Sequence, residues 1–292
     1  MHIVIHVGAH KTASSLIQWY LHDHVETLAD IGVRHVLRTE MKRLAGWGTV
    51  VEREPQRLRS RLLEEMEAGG HVVIASHEDI MGHPFVSGHG ELYPHAPRLA
   101  RSLREACDGL DVRVVLYVRP IESFVESYYV QTVQQGGTAT FSEWFDTLDG
   151  EPFSWEPMVR GLDEAFGPDA VALGDFREIR QGQNAFLRSF LDRCQAPAPE
   201  TIDYEQVRNA SVSARGLEMA RAVNPLTRDL REHRRTRRFI QEHFSNQHEE
   251  RARPMPDEIR ERLREQHHAE YERLAERARA ARLPAEPERP IP

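Results

Sequence analysis

Apolar residues recur along this chain in two rhythms. Short unbroken runs rich in β-branched residues, Ile3 to Val7, Val72 to Ala75, Val112 to Val118 and Ala170 to Leu173, are each bounded by Gly, Asp, Ser or Pro. Runs of that length and composition predict strands buried on both faces. Between them apolar positions return at helical spacing over Ser14 to Leu28, Glu52 to Met66, Pro97 to Cys107 and Ile121 to Val133, and a weaker strand is predicted at Val33 to Val36. Parallel neighbours need crossover helices, and those crossovers cover both faces of the sheet. The expected fold class is therefore α/β, three layers around a central parallel sheet.

The pattern changes near residue 211. Arg215 to Ala222, Leu226 to Phe244 and Asp257 to Ala281 read as Arg/Glu-rich helices with no strand among them, and Pro254 and Pro256 separate the last two. A Pro-rich tail from Pro284 is expected to fray. The division that follows is an α/β core over residues 1–210 and a C-terminal helical extension over 211–292, packed on the core rather than folding alone. No internal repeat is evident.

Composition narrows the chemistry. The 292 residues, 40% hydrophobic and 29% charged, are ample for a core and exclude disorder. A formal charge of −8 speaks against general affinity for nucleic acid, so any anion site must be a local pocket. Only Lys11 and Lys42 are lysines among 38 basic side chains, which singles out a lysine inside a glycine-containing loop. Cys107 and Cys194 make no disulfide framework, and His22, His24, His83, His89 and the pair His267-His268 match no metal-ligand spacing, so these histidines read as surface residues. Arg228, Arg231, Arg234, Arg235, Arg237 and Arg238 read as a solvated helix face, with an acidic polymer as the minor alternative. Trp144 and Trp155 belong either to the core or to a substrate cleft. The N-terminus lacks the features of a secretory signal and no run approaches the roughly 20 apolar residues of a membrane span, so a reducing cytoplasm is expected.

In an open parallel sheet, ligands sit beyond the carboxyl ends of the strands. The first strand ends in His6-Val7-Gly8-Ala9-His10-Lys11-Thr12-Ala13-Ser14-Ser15 and a helix follows. Gly8 lets the chain turn, Lys11 supplies a cation, and Thr12, Ser14 and Ser15 supply hydroxyls. The free N–H groups of the helix start point the same way, which together makes a phosphate cradle. Taken alone, the loop reads equally as an ordinary βα turn with Ser/Thr caps. It is not a Walker loop, which needs a second glycine immediately before the lysine.

A second feature lies at the end of Val112 to Val118, where the strand delivers Arg119 and Ser127 follows eight residues on in the next helix. Pro120 suits a first helical position, and Ser123 and Ser127 share a helix face. A strand-end arginine and a helix serine can meet one phosphate, the arginine through a charge-assisted fork. The two features in this order resemble sulfotransferases that use 3′-phosphoadenosine 5′-phosphosulfate (PAPS). Gln135-Gly136, Phe141-Ser142-Glu143-Trp144 and Arg208-Asn209-Ala210-Ser211-Val212-Ser213 extend the likeness to bacterial sulfotransferase-like proteins, over roughly residues 1 to 225.

The resemblance implies a P-loop-like fold and a sulfuryl transfer needing no metal, to a hydroxyl or amine of a carbohydrate, lipid or small-molecule acceptor. It implies Gly8, His10, Lys11, Thr12, Ala13, Ser14 and Ser15 around the 5′ end of the donor. Arg119 and Ser127 would hold the 3′-phosphate, and Arg208 and Asn209 would sit in a late closing loop. Ala13 stands where the family carries glycine and so speaks against a left-handed backbone there. Ser76-His77-Glu78-Asp79 follows the strand Val72 to Ala75 and projects over the same edge. Related sequences carry Ser-Ser-Glu there, which makes Glu78, or His77, the expected base, with partial burial raising the glutamate pKa; a polar strand end is the near-equal alternative. An ATP-dependent kinase or NTPase on the same fold, and a non-catalytic nucleotide- or glycan-binding protein, are the competing readings.

Overall fold

The computed structural model describes residues 1–87, 89–148, 153–206 and 211–280. Arg208, Asn209 and the tail from Pro284 lie outside the described residues. Along the chain run β1 (His2–His6), α1 (Ser14–Asp23), α2 (Val25–Asp30), β2 (Val33–His35), α3 (Arg38–Ala45), α4 (Thr49–Arg53), α5 (Pro55–Glu67), β3 (Val72–Ser76), α6 (Ala96–Ala106), β4 (Val112–Val118) and α7 (Ile121–Gln134). Then follow α8 (Phe141–Phe145), α9 (Glu156–Phe166), β5 (Val171–Asp175), α10 (Gln183–Arg193), α11 (Ala214–Val223), α12 (Leu230–His243) and α13 (Asp257–Ala280).

Every strand read from the apolar runs is present, and among the described residues they form one all-parallel sheet of order β2-β3-β1-β4-β5. Alternate strand residues face opposite layers. Ile3, Ile5, Val73, Ala75, Val114, Leu116 and Leu173 pack with α3, α5, α6, α7, α9 and α13, whereas Val4, Ile74, Val115, Tyr117 and Ala172 pack under α1 and α10. This is the three-layer α/β arrangement that the alternation predicts.

Some helix boundaries differ from the pattern. The stretch from Ser14 breaks at His24, which leaves helical geometry with φ −116° and ψ 27° while its amide and its ring Nδ1 both meet the Tyr20 carbonyl, at 3.1 and 3.0 Å. The stretch from Leu226 becomes helical only at Leu230, because Asp229 caps the amides of Arg231 and Glu232 at 2.7 and 2.8 Å. α13 lies against β5, and its Leu263, Tyr271, Leu274, Ala275 and Ala278 enter the same core as β1. His267 is buried on this helix, not exposed as its composition-based reading expects. Among the described residues no helix is long and apolar enough to cross a membrane.

Candidate active site

The order β3-β1-β4 sets three strand ends side by side, so the first loop is flanked by Ser76 to Asp79 on one side and Arg119 on the other. Gly8 has φ +38°, and a Cβ there would lie 2.7 Å from Ser14 Oγ, so the turn admits only glycine. Lys11 and Ala13 also take left-handed backbone, with φ 63° and 64°. The expectation that alanine at 13 excludes this conformation is thus overturned. Each such residue costs on the order of 1–2 kcal/mol, and the surrounding loop must hold it there.

That strain turns backbone donors inward. α1 starts at Ser14 with no side-chain cap, and the amides of Lys11 to Ser15 donate to no acceptor among the described residues. Ser14 is 5% exposed and its Oγ has no partner there either. A buried hydroxyl and several open amides at a helix start are a donor set of the kind that binds anions. Thr12 differs from Ser14. Its hydroxyl donates to the Ala9 carbonyl at 2.6 Å and closes the loop on itself, so it shapes the cradle rather than facing into it.

Arg119 leaves β4 almost fully buried, and its guanidinium donates to the Lys11 carbonyl at 2.6 Å and lies 4.6 Å from the centre of the Phe176 ring. Its Nε and Nη2 donate to Ser123 Oγ at 3.0 and 2.8 Å. The serine paired with Arg119 is therefore Ser123. Ser127, the position singled out by spacing, sits half-buried one helical turn further on. Trp155 resolves to core: it is fully buried, and its indole N–H donates to the Arg119 carbonyl at 2.8 Å, fixing where the arginine emerges.

Neither Lys11 nor Arg119 makes an ion pair among the described residues. Burial, then the charges of Arg119, Arg237 and Arg251, pushes the Lys11 ammonium down to about 8, with Glu78 pulling the other way. Burial and Arg251 likewise lower Arg119, to about 9, against Glu126 and Glu122, so it keeps its charge at neutral pH. Arg237 is half-buried and lowered by desolvation, which corrects its reading as part of a solvated face; Arg231, Arg234, Arg235 and Arg238 are exposed as expected.

On the β3 side, the Asp79 amide donates to His77 Nδ1 at 3.2 Å. A backbone N–H can only donate, so the neutral ring carries its proton on Nε2 and has no free basic nitrogen. Burial further lowers its pKa. Glu78 accepts from Gln18 Nε2 at 2.9 Å, and Gln18 in turn accepts from Arg38 at 2.7 Å. Burial pushes the Glu78 carboxyl up, but the His77 ring and the Gln18 hydrogen bond outweigh it, and the net pKa falls below the ordinary value. This reverses the expected upward shift; Glu78 is a firmly ionised carboxylate that shares the site with Lys11.

His10 is buried and turned away from the loop mouth, stacked 5.4 Å from Trp47 with its planes 7° apart. Tyr93 Oη accepts the His10 amide at 2.8 Å and lies 2.8 Å from His10 Nδ1, so the hydroxyl proton is left for Nδ1. The His10 Nε2–H then faces Asp79 Oδ1 at 3.4 Å. Tyr93, Asp79, Gln18 and Ser123 contact these residues and were assigned no role from sequence. Local signals existed for Ser123, on the Ser127 face, and for Asp79, beside Glu78; for the others the contact spans too much chain to leave a motif.

No family model matches the chain, and no curated protein matches it. Among solved structures, a sulfotransferase from Alicyclobacillus acidocaldarius aligns with a TM-score of 0.48 at 16% identity, over 80% of this chain and 99% of that one.

Proposed function

We propose that this chain is a sulfotransferase that moves a sulfuryl group from PAPS to a hydroxyl or amine of a carbohydrate, lipid or small-molecule acceptor. The observation that carries this reading is the join between two anion-binding turns: Arg119 on β4 donates at 2.6 Å to the carbonyl of Lys11 in the β1 loop. A donor with anionic groups at both its 5′ and 3′ positions suits such a pair better than a linear polyphosphate does. The open amides of residues 11–15 and the unpartnered Ser14 hydroxyl fit the 5′ end. Arg119, with Ser123 and Ser127 on one helix face, fits the 3′-phosphate; Arg208 and Asn209, which the resemblance assigns to a late closing loop, lie outside the described residues.

When bound, the donor supplies the sulfuryl group and a phosphate leaving group. Lys11 is placed to stabilise the charge that grows on that phosphate, and the loop amides add fixed dipoles to the same end. Glu78 takes the acceptor proton, because the basic nitrogen of His77 is already used. Positioning and electrostatics account for the acceleration in this scheme, which needs no metal.

Calorimetry tests the reading. 3′,5′-Diphosphoadenosine (PAP) should bind far more tightly than AMP or ATP without added Mg²⁺, and Arg119→Ala should remove about 1.5–3 kcal/mol of the preference for PAP over AMP. Tighter, Mg²⁺-dependent ATP binding would replace this reading with a kinase. PAP binding with no acceptor gaining sulfate by mass spectrometry would leave a nucleotide-binding protein.

A further inference from the structure

The segment from Leu226 through α12 brings exposed apolar side chains and unpaired arginines together. Among the described residues, and Met1 aside, the large apolar side chains more than half exposed are Leu226, Leu230 and Phe239, at 72%, 74% and 51%. The same stretch, residues 226–244, carries six arginines against three carboxylates in a chain whose formal charge is −8. Those carboxylates are already engaged. Asp229 caps the amides of Arg231 and Glu232, Glu232 accepts from the Arg228 amide at 2.8 Å, and Glu242 pairs with Arg238 at 2.9 Å. Arg228, Arg231, Arg234 and Arg235 are exposed and make no ion pair among the described residues.

α12 rests on α11, with Ile240 buried in the core. At the helical period, Arg231, Arg234, Arg235 and Arg238 share an outer sector about 100° wide and span about 10 Å of the axis. Leu230 and Phe239 border this sector on its two sides, and Leu226 stands in the turn just ahead of the helix. A soluble polyanion pairs with the arginines and leaves the apolar side chains in water. An anionic bilayer answers both, because headgroup phosphates accept guanidinium hydrogen bonds and the acyl boundary beneath them takes up Leu and Phe. We infer that this face of α12, with Leu226, is a docking surface for a membrane leaflet that contains anionic lipid. Docking is peripheral: the helix stays packed on α11, and only its outward side chains enter the headgroup region. Attraction of the arginines to the surface charge and burial of the three apolar side chains drive it, so it is reversible and weakens with salt. The surface does not depend on which reaction the strand-end site performs.

Co-sedimentation of the full chain with vesicles tests the surface, using pure phosphatidylcholine and phosphatidylcholine with about one third phosphatidylserine. The protein should bind the mixed vesicles, lose most of that binding at high salt, and leave the neutral vesicles alone. Arg231→Gln and Arg235→Gln should each weaken binding to the mixed vesicles about fivefold, the contribution of one basic residue at such a surface. Arg160→Gln, at an exposed arginine of α9, should not weaken it. Leu230→Ser and Phe239→Ser, which leave the charge unchanged, should each weaken vesicle binding several-fold. All of these side chains are exposed, so the substitutions spare the core. No binding to the mixed vesicles, or equal binding to both kinds, overturns the inference. Arginine variants that behave like Arg160→Gln overturn it too. Vesicle binding indifferent to both serine variants also overturns it, and would assign the face to a soluble polyanion instead.

Discussion

Two groups of buried or half-buried cations in this protein have opposite surroundings. Arg193, at the end of α10, is 1% exposed, and every arm of its guanidinium is engaged: Nε donates to the Leu173 carbonyl at 2.8 Å, and Glu178 pairs with it at 2.6 Å. Arg260 pairs with Glu126, Arg277 with Asp163, and Arg177 with both Asp175 and Glu272. In each case the partners outweigh desolvation, and the pKa moves up. Lys11 and Arg119 face neighbours of their own sign, and their pKa values move down. Three of these paired arginines tie α13 to α7, to α9 and to the end of β5, so they hold the fold. Lys11 and Arg119 make no ion pair among the described residues, an arrangement suited to binding an anion.

The largest expected effect breaks the paired group. Arg193→Ala leaves Glu178 as a buried charge without its cation and should cost about 3–5 kcal/mol of stability in urea unfolding. Arg119→Ala, which strands no carboxylate, should cost distinctly less. Equal losses would erase the distinction between the groups.

Lys11→Met sharpens the other side. Under the proposed function, sulfuryl transfer should fall about 10²–10³-fold in kcat, the cost of losing one preorganised stabilising group, while stability at pH 7 should not drop. The pH dependence follows from the depressed pKa. Between about 8 and the ordinary lysine value the unfolded chain holds a proton that the folded chain has released, so stability from this group rises with pH across that window. Unfolding measured on both sides of the window should show the rise in the parent protein and lose it in Lys11→Met. A variant with the same pH slope would place the titration on another group.

The smallest effect concerns backbone strain in the same loop. Ala13→Gly relieves a left-handed alanine but loosens the unfolded chain, so the net gain should be no more than about 1 kcal/mol in thermal or denaturant unfolding. A loss of stability would mean that the Ala13 methyl group packs more productively than its backbone is strained.

Much of the fold was legible because its signals are local. The five strands announce themselves as β-branched runs bounded by turn residues, and the alternation with helices implies the parallel sheet. The helices α3, α8, α9 and α10 were not singled out from the sequence. Within the site, Gly8, Lys11, Ser14 and Arg119 were found from strand ends and helix starts. Ser127 was assigned to the 3′-phosphate from its spacing; the structure hydrogen-bonds Arg119 to Ser123, one turn earlier on the same helix face.

The sequence by itself determined where the strands run, that one loop holds a glycine and a lysine ahead of a helix, and that an arginine leaves a neighbouring strand. These follow from patterns within about ten residues, and the physics behind them, pleat, helical period and turn sterics, acts at that range. Only the tertiary structure decided which cations go unpaired. Lys11 and Arg119 meet across 108 residues of chain. It also decided that Ala13 is left-handed, that His77 spends its basic nitrogen on a backbone amide, and that Glu78 is held ionised. Burial and charge coupling depend on what the fold brings within a few ångströms, and no local pattern carries that distance.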